Sequence, residues 1–173
     1  MNSLIKCGLA AAMLFLTAMA TPALAKKSFD ICVDPATDVA TQDTFTRGAF
    51  LTVAANIYPS ETIESGGGTP CSSLDSSLVI GTFYANVGLE VGLPAATDVF
   101  AFVTWHFDFS ALGNGTFVTV GPIPFPPGAG GPETFPQTIS GASGPFPGRG
   151  TAIVTALSPD GFQFRITIPA NGK

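Results

Sequence analysis

Apolar and polar residues alternate with a period of two over much of the chain beyond residue 26. Phe162, Phe164, Ile166 and Ile168 share one face of a run whose other face carries Gln163, Arg165 and Thr167. Val103, Trp105, Phe107 and Phe109 alternate in the same way with Thr104, His106 and Asp108. This pattern predicts half-buried antiparallel strands, and no apolar 3.6-residue period persists that would predict a helix. Eight strands are expected, near residues 28–33, 45–57, 78–88, 97–109, 115–121, 134–140, 150–157 and 161–169. Asp160-Gly161 and Asn114-Gly115 sit between such runs and predict tight hairpin turns. Residues 121–133, rich in Pro and Gly, predict an extended loop, because proline donates no ladder hydrogen bond. Residues 58–77 are rich in Ser and Gly and predict a flexible connection pinned by Cys71. An all-β chain of eight strands joined mainly by hairpins closes into a single antiparallel eight-stranded β-barrel or folds as a two-sheet β-sandwich.

The N-terminus has a different character. Lys6 precedes a run of apolar and small residues, and Ala23-Leu24-Ala25 is a small-residue cleavage signal. Residues 1–25 therefore read as a signal peptide and residues 26–173 as the mature domain, exported to the periplasm or the medium. No later stretch is long and apolar enough to predict a membrane-spanning helix. Outside the leader two cysteines remain, Cys32 and Cys71, and an even pair in an exported chain predicts a disulfide. The 7 basic residues are outnumbered by 12 acidic ones, for a net charge of −5, with no basic cluster. That balance excludes nucleic acid and anionic lipid as partners. Charged residues make up only 11% of the chain, against 15 phenylalanines. So little charge predicts apolar surface hidden in a cavity or between copies of the chain.

Three segments follow one another in the last third: Phe107-Asp108-Phe109, then Gly115-Thr116-Phe117-Val118-Thr119-Val120-Gly121-Pro122, then the glycine-rich corner from Thr138 to Gly150. Their order of strand, glycine turn, strand, long loop, strand and glycine corner resembles the allene oxide cyclase/dirigent superfamily over roughly residues 99–168. The resemblance implies the barrel over the sandwich, a homo-oligomer of the trimeric kind, and a cavity that holds a small apolar molecule without a cofactor. In that superfamily, cyclases turn an unstable fatty-acid epoxide into a cyclopentenone and dirigent proteins steer phenoxy-radical coupling. The acidic and polar pocket residues of the cyclases have no matching motif near residues 28–46. The resemblance therefore brings no catalytic residue to this chain.

Candidate chemistry gathers on one strand. His106 is the only histidine, the side chain best suited to proton transfer near neutrality, and Asp108 lies two residues away on the same face with Thr104. If that face lines a pocket, the row can polarise or deprotonate a bound carbonyl compound; otherwise it faces water while the aromatic row fills the core. Tyr84, on a face with Ile80, Thr82 and Asn86, offers a phenol to the same ligand or to a core hydrogen bond. Arg149 follows the glycine corner, where dirigent-like chains also carry an arginine, and suits a salt bridge or carbonyl contact. Asp30, Asp34, Asp38 and Asp43 form an acidic stretch whose spacing lacks the alternating ligand pattern of a calcium loop. A single histidine and a paired cysteine set predict no zinc site, and no phosphate-cradling or dinucleotide motif is present. The expected activity is a cofactor-free cyclisation or isomerisation; the rival expectation is a non-enzymatic structural or surface-assembly protein.

Overall fold

The computed structural model describes residues 26–45, 48–66, 69–90, 99–125, 133–159 and 162–169. The expected signal peptide, residues 1–25, and the Asp160-Gly161 turn lie outside the described residues. The strands are β1 (Lys27–Cys32), β2 (Val39–Phe45), β3 (Gly48–Pro59), β4 (Gly81–Glu90), β5 (Val99–Asp108), β6 (Thr116–Phe125), β7 (Thr134–Ala142), β8 (Gly150–Ala156) and β9 (Gln163–Ile168). Every pairing is antiparallel, and β1, β9, β8, β7, β6, β5, β4 and β3 close into an eight-stranded barrel through a β1–β3 contact. Closure settles barrel against sandwich. Among the described residues the only helical turns are three short 3-10 segments.

The additional strand, β2, pairs with β3 alone. Its origin is a break in what would otherwise be one long strand. β1 takes the end of β3, from Asn56 to Pro59, and β2 takes its beginning, from Gly48 to Val53. Between them Ala54 donates its N–H to the Asp38 carbonyl at 2.9 Å, so the edge of β3 stays satisfied across the break. The break is an Asx turn. Asp34 accepts from the Ala36 N–H at 2.9 Å, and Asp38 accepts from the Asp34 N–H at 2.8 Å.

Two further expectations are corrected. The proline-rich run does not end the sheet at residue 121, because β6 continues through Pro122 and Pro124 in register with Phe102 and Phe100 of β5. The Pro122 carbonyl is taken by the Gln137 side chain, on the β7 side. The missing amide hydrogen of Pro122 therefore also points away from β5. Direct β6–β7 pairing ends at Val120↔Thr138, so that donor is not needed. The Asn114-Gly115 connection is also longer than a two-residue turn. Asp108 caps the Ser110 N–H at 2.8 Å, a 3-10 turn follows, and Gly113 adopts a left-handed φ of 71° before the chain re-enters β6.

The interior is apolar, and its two ends differ. At one end Phe29, Phe107, Phe109, Phe117 and Phe146 pack face and edge, with Phe107 and Phe117 stacked at 4.2 Å. This end is plugged. The glycine corners that carried the family resemblance meet on its rim. A Cβ on Gly115 would lie 2.5 Å from the Ser143 carbonyl oxygen, and one on Gly144 would lie 2.9 Å from that of Asn114. Both glycines also have positive φ, so two backbones cross where no other residue fits.

The loop between β3 and β4 is pinned at Cys71, as expected, and is held at further points along its length. It leaves the plugged end, folds up the outer face of β1 as a strap, and returns. Phe29 and Ile31 of β1 point into the barrel core while Asp30 and Cys32 point under the strap, so both faces of β1 are buried. Cys32, Tyr58, Ile63 and Leu157 form a small second core there. The expected Cys32–Cys71 disulfide is present and pins the strap. Closing a loop of this length stabilises a fold by roughly 3–4 kcal/mol in the chain-entropy picture. The stronger clamp is one the sequence did not announce. Asp30, fully buried, pairs bidentately with Arg165 of β9 (2.7 and 3.0 Å), and both grip the Ile63 backbone of the strap at 2.9 and 3.0 Å. Glu61 meets the same guanidinium at 3.0 Å. Hydrogen bonding from Asp30, ahead of its charge and that of Glu61, holds Arg165 still more firmly protonated than usual.

Candidate functional site

The plug leaves the other end of the lumen unfilled. There a cavity of about 100 Å³ opens among inward-facing side chains. Trp105, only 2% exposed, forms its floor and meets Phe83 and Phe164 edge-on or tilted at 5.5 and 5.3 Å. Val53, Val87 and Ile123 make the walls, with Val33 and Phe162 at one side. The sizes of these residues explain the void. Ala85 stands directly opposite Trp105 in register, where a larger residue would fill the space. An apolar recess of this size accepts a small ring system more readily than water.

Val33 and Phe162 also wall a second, more polar recess of about 250 Å³ outside the barrel. It lies between the Asp34 turn and the end of the strap, with Gln163 at its base. The Gln163 amide donates to the Thr69 carbonyl and so ties strap to β9.

The row singled out from the sequence lies on the opposite side of the wall from the lumen. Tyr84 is 46% exposed and stands across from His106 in register, the two rings stacked at 6.2 Å. Thr104 is exposed beside them, and His106 and Asp108 are partly exposed. The structure thus brings Tyr84, Thr104, His106 and Asp108 together on the outer surface of β4 and β5. Hydrogen bonds from Ser110, with a smaller contribution from the charge of His106, hold Asp108 below the ordinary aspartate range. Arg149 is exposed in the glycine corner, away from this row. Asp30, Asp34 and Asp38 are engaged in the clamp and the turn, and among the described residues no group of acidic, His or Cys side chains has the arrangement of a metal site.

Two buried polar residues escaped the sequence reading. Thr119 and Gln137 are polar residues on the inward rows of β6 and β7, both buried within an otherwise apolar lumen. The signal was legible in principle. In Phe135-Pro136-Gln137-Thr138-Ile139, period two puts Gln137 on the face of Phe135 and Ile139.

The fold and cavity define an eight-stranded antiparallel barrel with one plugged and one hollow end. By sequence no protein-family model matches this chain and no curated protein matches it. Among solved structures, pyocyanin demethylase shares the fold, with a TM-score of 0.51 over 83% of this chain and 99% of its own. Identity is 11%, so the likeness extends to architecture alone.

Proposed function

We propose that this protein is an exported binder of a small apolar molecule, which it holds in the hollow end of the barrel against Trp105. The carrying observation is the contrast between a lumen plugged by phenylalanines at one end and an apolar cavity at the other, opened where the small Ala85 stands opposite Trp105. Any reaction performed there is an intramolecular one, a cyclisation or isomerisation of the allene oxide cyclase type without a cofactor, in which rigid walls select one reactive conformer and exclude water. The name of pyocyanin demethylase supports the reading to the extent that a barrel of this shape can act on a small aromatic molecule. The disulfide and the small-residue cleavage signal support export.

A second reading is favoured by a separate observation. The outer faces of β3 to β8 carry few charged residues, while Phe102 and Tyr84 are 64% and 46% exposed. The outer row of Tyr84, Thr104 and His106 is then a contact between copies of this chain rather than a ligand site.

Native mass spectrometry of the disulfide-intact protein tests both. We expect a co-purifying apolar small molecule that disappears in Ala85→Phe, a variant that fills the cavity. Ligand-free ions at multimer mass, collapsing to monomer in Phe102→Glu, would replace the first reading with the second.

A further inference from the structure

We infer that the lumen carries a polar anchor, Gln137 Oε1 with Thr119 Oγ1, which accepts a hydrogen bond from an N–H or O–H group on an otherwise apolar, ring-sized ligand. The inference rests on the lumen reading above and gives that ligand a chemical class.

Apart from Lys27, whose ammonium lies over Phe146 at the plugged rim, every other described side chain of the inward rows is apolar, which makes these two conspicuous. Thr119 is 0% exposed and Gln137 is 1% exposed, and neither Thr119 Oγ1 nor Gln137 Oε1 has a hydrogen-bond partner. They lie together. Thr119 pairs with Ile139 in register, and Gln137 is two residues along the same inward row, which makes the two side chains diagonal neighbours on one face.

The orientation of the amide is fixed by chemistry. Gln137 Nε2 donates to the Pro122 carbonyl at 3.1 Å, and because a carbonyl can only accept, the amide cannot be turned the other way. Its oxygen is therefore the free end. Gly121 makes room for this arrangement. A Cβ there would lie 2.9 Å from both Nε2 and Oε1, so the amide lies against bare backbone.

A buried oxygen without a partner is costly to the fold, and valine or methionine would fill the same space without that cost. Of the three described buried side-chain atoms without a partner, Gln163 Oε1 lies at the polar recess outside the barrel, and the two inside the apolar core are neighbours, which marks a place where a partner arrives. Neither side chain lines the cavity as it stands, but residues that do are their neighbours in the sheet. Trp105, its floor, is the register partner of Thr119, and Ile123, in its wall, is two residues along the inward row from Gly121. Gln137 Oε1 can only accept, so the arriving group must donate. The one described cation on an inward row, Lys27, sits over Phe146 at the plugged end, and none lines the cavity, so a carboxylate or phosphate finds no counter-charge there. The ligand class is a neutral ring system bearing one N–H or O–H group.

Indole and indene are near-isosteric, and only indole carries a donor. Isothermal titration calorimetry of each into the disulfide-intact protein tests the anchor. We expect indole to bind at least about tenfold more tightly than indene, the difference one hydrogen bond makes. Thr119→Val and Gln137→Met should each weaken indole toward the indene value and leave indene unchanged. Thr119→Val removes an unpartnered atom at constant shape, so it serves as the second variant if Gln137→Met does not fold. Equal affinities in the unmodified protein, or discrimination that survives both variants, would overturn the anchor while leaving the lumen reading intact. Binding of neither compound would overturn both.

Discussion

The two ends of this barrel are built from the same alternating strands and have opposite characters. At the plugged end the inward residues are large. Phenylalanines from β1, β5 and β6, with Phe146 of the corner, interlock, and glycines let backbones cross on the rim. At the hollow end the inward residues opposite Trp105 are small, and the edge strand β2 has β3 as its only partner. One end concentrates packing and the other gives some of it up. That division is what a binding barrel requires, because a ligand can be admitted only where the core is incomplete.

The comparison can be broken most forcefully from outside the barrel, at the clamp. Asp30→Asn removes one charge of a buried pair that also grips the strap, and we expect a loss of about 3–5 kcal/mol in urea unfolding. A loss below about 1 kcal/mol would mean that the strap decorates the fold without holding it. The two ends can then be set against each other by adding a single methyl group to each. Gly81→Ala places a Cβ 2.5 Å from the Asp108 carbonyl oxygen and 2.9 Å from Phe109, backbone and packed ring that cannot give way. It should cost about 1–3 kcal/mol. Gly121→Ala meets only the Gln137 amide, the end of a movable side chain, so its cost should be clearly smaller by the same measurement. Equal costs would show the hollow end to be as rigid as the plugged one. The smallest effect is at Asp108, on the outer wall. Its lowered pKa means that its contribution is present above the ordinary aspartate range and fades as pH falls through the lowered value. An NMR titration should show its midpoint below that of an ordinary aspartate, and Ser110→Ala should bring it back up.

All eight barrel strands were legible from period-two alternation, because a half-buried wall repeats the same requirement at every second residue. What escaped was whatever depends on partners distant in sequence. β2 was hidden because its separation from β1 is made by two aspartate side chains in a turn, not by an apolar pattern. Pro122 and Pro124 read as sheet-breakers because their tolerance depends on β7 having moved away. The strap read as a flexible loop because its order comes from Asp30 and Arg165, each unremarkable in its own segment. The candidate row was read correctly as one face of a strand; which side of the wall it occupies follows from closure, and closure puts Trp105 inside and His106 outside. Cys32 and Cys71 were paired by counting, where so few choices leave little room for error.

The clamp also has a consequence for the order of events during synthesis. Asp30 and Arg165 are 135 residues apart, so the carboxylate leaves the ribosome long before its cation exists. Until β9 arrives, β1 lacks a neighbour on one side and Asp30 cannot be buried without severe penalty. The strap therefore cannot close early, and Cys32 beneath it stays within reach of an oxidant until the last strand docks. Completion of the chain, rather than any local signal, is what seals the disulfide from solvent.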